Sequence, residues 1–245
     1  MKHFPCRRIC LLISITLFLA ASSLFVADTV AASPPKTGPA VTDARYKSDS
    51  DQEKKAADWI ASLHLNDAAK EARVEAAIAT QLAAVRDWHN SHSYKDVPAG
   101  INPATGKPLS VLDRQIIVDS TIPKSVHEDL MAALRKDLNE EQVAAVLDKY
   151  TVGKVAFTMR GYEAIVPNLT DEEKTHIMNF LTQAREQAID FKNMKEISGI
   201  FEIYKTKCEQ YLNSNGRNWH ELYKAFYKKI QAQKAAAAAR KAKAP

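Results

Sequence analysis

The stretch Asp190–Trp219 constrains the fold of this chain more than any other part of it. Its apolar residues recur at alternating steps of three and four, which places them on one stripe of an α-helix. The residues of this stripe are Met194, Ile197, Phe201, Tyr204, Cys208 and Tyr211. Ile200 and Ile203 are expected to widen the stripe toward a buried flank. Asn213–Gly216 ends the helix, because Asn and Gly tolerate the left-handed backbone that closes a last turn.

A second helix begins directly after this turn. Asn218 and Glu221 have the spacing of a capping box, a contact that stabilises a helix start by about 1 kcal/mol. The chain is therefore predicted to turn here and to send a second amphipathic helix back along the first.

Helix signals recur through most of the remaining chain. The pairs Ser110–Asp113, Asn139–Gln142 and Thr170–Glu173 have capping-box spacing, and Asn66 is expected to cap another helix. Residues Thr151–Val166 fit a helix over more positions than a strand, although part of this segment also alternates as a strand does. We therefore predict an all-α single-domain bundle of about seven to eight helices.

One long loop, His92–Leu109, interrupts this pattern with three prolines and two glycines. Loops of this length in compact domains are usually either functional or disordered, and prolines restrict the backbone. We expect an ordered loop that takes part in function.

The two ends of the chain lack the amphipathic helix pattern of its middle. Residues 1–32 combine early basic residues, a long apolar run and small residues, as a signal peptide does, although an uncleaved membrane anchor has a similar pattern. Residues 33–51 are predicted to be a flexible linker, 52–230 the helical domain, and 231–245 a basic, Ala-rich, disordered tail. The predicted location is the periplasm, the cell surface or the extracellular space, with no membrane contact beyond the signal peptide.

Charge and cysteine content exclude some function classes. The formal charge of +5 is carried largely by the two ends, and no basic face interleaved with aromatic residues occurs between them, so nucleic-acid binding is not expected. Beyond the signal peptide Cys208 is the single cysteine, so the domain cannot be held by an internal disulfide. The sequence does not indicate an oligomeric state.

No established catalytic motif occurs in the chain: a GxSxG elbow, a phosphate-binding loop and an HExxH pair are all missing. His89 and His92, with Asp87 and Asp96 nearby, have a spacing that can share a metal, but such pairs at helix ends are common without one. We therefore predict neither a metal nor a cofactor. Catalytic residues are not predicted.

Aromatic and planar polar residues at helix ends and loop edges are typical of a sugar site. The C–H face of a pyranose lies on an aromatic ring, while Arg, Asn and His bond its hydroxyls. The candidate ligand-binding residues are Arg86, Trp88, His89, Tyr94, Asn102, Arg217 and Trp219. The alternative is that both tryptophans belong to the core and both arginines are solvated.

Four segments carry a resemblance to a known family. They are RDWHN at Arg86–Asn90, AGINPATGKPLS at Ala99–Ser110, YTVGKVAFTMRGY at Tyr150–Tyr162, and the segment Asn193–Trp219. Together they resemble the secreted bacterial family known as domain of unknown function 3826, which is described as sugar-binding. The resemblance implies an exported protein that binds carbohydrate and assists in polysaccharide use. Arg86 and His89 could also bond the carboxylate of an acidic glycan.

The sequence is also compatible with two other functions. Helix starts such as Leu138–Gln142 vaguely resemble the LTxxQ pattern of small periplasmic helical chaperones, so an interaction protein is one alternative. A glycan-cleaving enzyme is the other. A concave pocket lined by Trp and Arg favours sugar binding, an exposed apolar cradle favours a chaperone, and two opposed carboxylates favour an enzyme.

Overall fold

The computed structural model of the chain describes residues 39–103 and 105–242. Within them nine α-helices and no β-strand are found, which confirms the all-α prediction with one helix more than expected. The predicted signal peptide lies outside the described residues. The helices are α1 Pro39–Ala61, α2 Ala68–Ser91, α3 Val111–Asp119, α4 Lys124–Asp137, α5 Glu140–Thr151, α6 Lys154–Ile165, α7 Asp171–Ala188, α8 Met194–Ser214 and α9 Trp219–Ala242.

Two segments predicted to be irregular are helical instead. Helix α1 occupies 39–51 of the expected linker, and α9 continues to Ala242 through most of the expected disordered tail. Polar contacts hold α1 against α2: Arg86 of α2 donates to Ser48 at 2.9 Å and to Asp49 at 2.5 Å. Such contacts leave no apolar period in the sequence. The tail owes its helix to alanine, the residue with the highest helix propensity.

Within the described residues, the buried side chains form two core clusters. One joins α6, α7 and α8 around Phe201, and the other joins α1, α2, α4 and α5 around Ile78. Helix α7 contributes to the first cluster, and Ile189, at its C-terminal end, belongs to the second.

Helix α8 buries most of the predicted stripe but not all of it. Phe201 and Cys208 are 2% and 0% exposed, whereas Met194 is 42% exposed. The predicted widening is correct for Ile200, at 1% exposure, and wrong for Ile203, at 49%. The buried face of α8 is therefore narrower than the predicted stripe.

Most predicted helix boundaries are confirmed by their hydrogen bonds. Reciprocal capping boxes form at Ser110, Asn139 and Thr170, and Thr151–Val166 is helical over Lys154–Ile165. The cap of α2 is Asp67 rather than Asn66, because Asn66 has a left-handed backbone with φ of 56°. Asn66 therefore lacks the extended backbone of an N-cap residue.

The long loop between α2 and α3 is held by side chains of α3. Arg114 donates to the carbonyl of Val97 and lies over the ring of Tyr94, and Gln115 accepts from the backbone N–H of Tyr94 at 2.9 Å. An isolated antiparallel bridge joins Ile101 to Pro108. These contacts support the prediction of an ordered loop.

Helix α3 packs closely on α8 at Gly199. A Cβ at this position would lie 2.4 Å from Cδ1 of Ile116, so the missing side chain lets the two helices approach. This approach brings the C-terminal end of α3 to the first turn of α8. Among the described helices, none is long and apolar enough to cross a bilayer.

Candidate functional site

A cavity of about 620 Å³ opens between α6, α8 and α9. We call it the Trp219 cavity. Its aromatic lining consists of Phe157, Tyr162, Trp219 and Tyr223. Its polar lining consists of Thr158, Arg160, Lys205 and Glu209. Gly161 and Ile165 complete it.

The aromatic rings of this cavity range from buried at its base to exposed at its opening. Tyr162 is buried at its base, where its hydroxyl donates to the carbonyl of Lys205 at 3.2 Å. The ring of Trp219 lies 5.2 Å from that of Tyr162 and 6.1 Å from that of Tyr223. Tyr223 and Phe157 are 50% and 70% exposed, so two rings remain accessible at the opening.

Charged groups surround these rings. Lys205 pairs with Glu202 at 2.9 Å, and the pKa of Glu209 is raised above its ordinary value, first by burial. Arg160 is exposed at the rim. The cavity therefore offers apolar ring faces beside hydrogen-bonding groups of both signs.

A second cluster brings together His89, Asp119 and Glu196, from α2, α3 and α8. We call it the His89 cluster. Nδ1 of His89 lies 2.8 Å from Oδ2 of Asp119 and 3.4 Å from Oε1 of Glu196. The carboxylate side chains are each 3% exposed, and the imidazole is 21% exposed. Burial is the main cause that raises the pKa of Glu196, Asp119 adds to this effect, and His89 opposes it.

Polar side chains orient both carboxylates of the His89 cluster. Gln115 donates to Oδ1 of Asp119 at 2.9 Å, and Asn193 donates to Oε1 of Glu196 at 2.6 Å. Oε2 of Glu196 is buried without a hydrogen-bond partner. This set of one imidazole and two carboxylates has the composition of a metal site.

A third polar group lies on another face. His127 bonds Asp190 at 2.9 Å, and Gln81 donates to the carbonyl of Ile189 beside it at 3.0 Å. The hydrogen bond that the imidazole makes to the carboxylate of Asp190 is the main cause that raises the pKa of His127. His127 and Asp190 line a more open cavity of about 510 Å³.

The predicted ligand-binding residues do not converge on one place. Arg86 is buried in ion pairs with Asp49 and Asp87 and lines the groove between α1 and α2. Arg217 is held by Glu173 and by the carbonyl of Asn168. Both arginines therefore have structural partners.

The residues near the long loop have separate roles. Trp88 stacks on His92 with ring centroids 3.7 Å apart and donates to the carbonyl of Val118 at 3.4 Å. Tyr94 lies under Arg114, and Asn102 bonds Lys107 within the loop. His92 is therefore not part of the His89 cluster.

Of the predicted set, Trp219 lies in the aromatic cavity and His89 in the polar cluster. Sequence reasoning missed Phe157, Tyr223, Asp119 and Glu196. The sequence did hold a signal for Glu196, because this carboxylate directly precedes Ile197, a residue of the predicted buried stripe of α8. Asp119 had no such signal, because it meets His89 and Glu196 only where α2, α3 and α8 come together in the fold.

Comparison with known proteins gives one finding. No curated protein matches the chain. Residues 50–232 match the family described as "Protein of unknown function (DUF3826)". This match spans α2 through most of α9 and includes both the Trp219 cavity and the His89 cluster. The chain therefore belongs to the DUF3826 family.

Proposed function

We propose that the protein is an exported carbohydrate-binding protein that assists in glycan use, and that the Trp219 cavity is its binding site. The observation that carries the proposal is the combination, in one concave site, of an accessible aromatic wall with Arg160, Lys205 and Glu209. Apolar pockets with a few placed polar groups are the usual form of small-ligand sites.

The chemistry of a pyranose fits this wall. Its axial C–H bonds pack on an aromatic face, and its hydroxyls both donate and accept hydrogen bonds. Trp219 and Tyr223 supply ring faces, Arg160 and Lys205 supply donors, and Glu209 supplies an acceptor. The two cations also suit a uronate carboxylate.

The test is a glycan screen of the full-length chain, followed by titration calorimetry with the best oligosaccharide. Tyr223→Ala and Phe157→Ala remove exposed rings and should leave the fold intact while weakening binding at least tenfold. Trp59→Ala is the matched control, because Trp59 packs edge-on against Tyr150 in the other core cluster.

Trp88→Ala tests the location expected from sequence, beside the long loop. Loss of binding in this variant, with circular dichroism unchanged and Tyr223→Ala unaffected, would move the site from the Trp219 cavity to the loop. A screen in which no glycan binds would contradict the carbohydrate proposal itself.

An interaction protein is the second candidate. Phe157 and Val152 are 70% and 72% exposed near the start of α6, and exposed apolar groups of this kind also suit a protein partner. Suppression of aggregation of an unfolded client, lost in Phe157→Ala, would favour this function over sugar binding.

A further inference from the structure

We propose that the His89 cluster is a binding site for a divalent transition metal ion, with Zn²⁺ as the ion that its ligand set suits best. His89, Asp119 and Glu196 are the ligands, one from each of three helices. The site is distinct from the Trp219 cavity and does not depend on the proposed function.

Geometry is the first support for this site. One ligand atom from each of the three side chains lies within 4.8 Å of the other two. Tetrahedral zinc with bonds of about 2.0–2.2 Å separates its ligands by about 3.4 Å. The distance from Nδ1 of His89 to Glu196 already has this value, at 3.4 Å. The distance from Nδ1 to Asp119 is 2.8 Å and has to open by about half an ångström as the metal replaces the shared proton.

Charge is the second support. Two carboxylates that are each 3% exposed face one imidazole. Among the ion pairs of the described residues, Asp119 and Glu196 have His89 as their common partner and no Lys or Arg. Buried anions are costly unless paired or bound to a metal, so a dication would neutralise this excess.

The third support is independent of the cluster's composition. Glu196 is only 2% exposed, and its Oε2 is buried without a hydrogen-bond partner. A buried carboxylate oxygen without a partner is rare, and a bound ion would complete its shell. Meanwhile Asn193 and Gln115 hold the two carboxylates in place, as outer partners do in metal sites.

The choice of metal follows from the donors. One imidazole nitrogen and two carboxylate oxygens suit Zn²⁺ better than Mg²⁺ or Ca²⁺, which prefer oxygen alone. The imidazole is 21% exposed, so the cluster lies close to solvent on the side of His89. Three protein ligands leave a fourth position for water.

The experiment uses the full-length chain, stripped with EDTA and titrated with ZnCl₂ by calorimetry. We expect His89→Gln and Glu196→Gln each to lose one zinc equivalent, or to weaken its binding by at least about a hundredfold. His127→Gln is the matched control, because His127 is also half-buried and paired with a carboxylate, Asp190. Zinc uptake that is the same in the parent chain, His89→Gln and Glu196→Gln would overturn the proposal.

A thermal measurement separates a ligand from a structural carboxylate. At about a hundredfold excess of Zn²⁺ over its dissociation constant, the Tm of the parent chain should rise by about 5–10 °C, and that of Glu196→Gln should not. In EDTA, Glu196→Gln should melt at or above the temperature of the parent chain, because it removes a buried like charge. A Tm for Glu196→Gln that is lowered equally in EDTA and in Zn²⁺ would show a structural role and contradict the site.

Discussion

Arg217 and Glu173 form a two-bond ion pair that ties the turn between α8 and α9 to the start of α7. Nε of Arg217 lies 2.9 Å from Oε1 of Glu173, and Nη2 lies 2.8 Å from Oε2. The same carboxylate accepts the backbone N–H of Thr170 as part of the α7 capping box. One buried carboxylate therefore serves both the start of α7 and the position of α9.

Arg217→Met should lower the urea midpoint, because it leaves the carboxylate of Glu173 buried without a cation. Arg217→Lys should lower the midpoint less, because it keeps the charge and loses the two-bond geometry. The exposed Arg135 of α4 provides the control substitution Arg135→Met. Equal midpoints for Arg217→Met and Arg135→Met would show that the pair contributes no stability.

The ion pair also predicts a pH dependence. The hydrogen bond from Arg217 is the main cause that lowers the pKa of Glu173 from 4.5 to about 2. A carboxyl group whose pKa is lower in the folded than in the unfolded protein stabilises the fold at pH values above its unfolded pKa. This stability is lost as pH falls from roughly 5 toward 2. The difference in Tm between the parent chain and Glu173→Gln should therefore shrink over this window. A difference that stays constant from pH 7 to pH 3 would contradict the lowered pKa.

Two isoleucines on α8 test the burial pattern of the central helix. Ile200→Ala should reduce the free energy of unfolding by about 2–5 kcal/mol, because it removes a side chain that is 1% exposed. Ile203→Ala, at 49% exposure, should change it by less than about 0.5 kcal/mol. Urea unfolding measures both. A larger loss for Ile203→Ala would mean that α8 faces the other way.

The contact between α3 and α8 is tested by a double-mutant cycle. Gly199→Ala places a methyl against Cδ1 of Ile116, and overpacking of this kind costs about 1–3 kcal/mol against a helix-propensity gain of about 1 kcal/mol. Ile116→Val removes Cδ1, so the double variant should be more stable than the sum of the single effects. Additive effects in urea unfolding would show that the helices do not meet at this point.

Cys208 should react slowly with thiol reagents in the native protein. Its side chain is 0% exposed, and burial raises the pKa of the thiol to about 11. Mass spectrometry of peptides after labelling distinguishes Cys208 from Cys6 and Cys10, and concentrated urea provides the fully reactive reference. Labelling of Cys208 at the same rate with and without urea would contradict its burial.

Local signals in the sequence determined the helical class and most helix boundaries. Capping boxes at Ser110, Asn139 and Thr170 are short-range contacts between residues three apart, so the sequence contains everything that they require. The same is true of the turn after Ser214, where Gly216 has a φ of 83°. The part of α1 that was expected to be a linker is helical and is held to α2 by the ion pairs Asp49–Arg86 and Arg45–Asp87, which have no periodic pattern.

Tertiary packing decided the composition of both candidate sites. His89 and Asp119 are 30 residues apart in the chain and meet only in the fold, and Gly199 lets α3, which carries Asp119, approach α8, which carries Glu196. Trp219 and Phe157 belong to helices that are neighbours only in the folded bundle. Local patterns describe which side chains a helix carries and which flank is apolar. The contacts between helices depend on the shapes of surfaces that are distant in the chain, and those shapes exist only after packing.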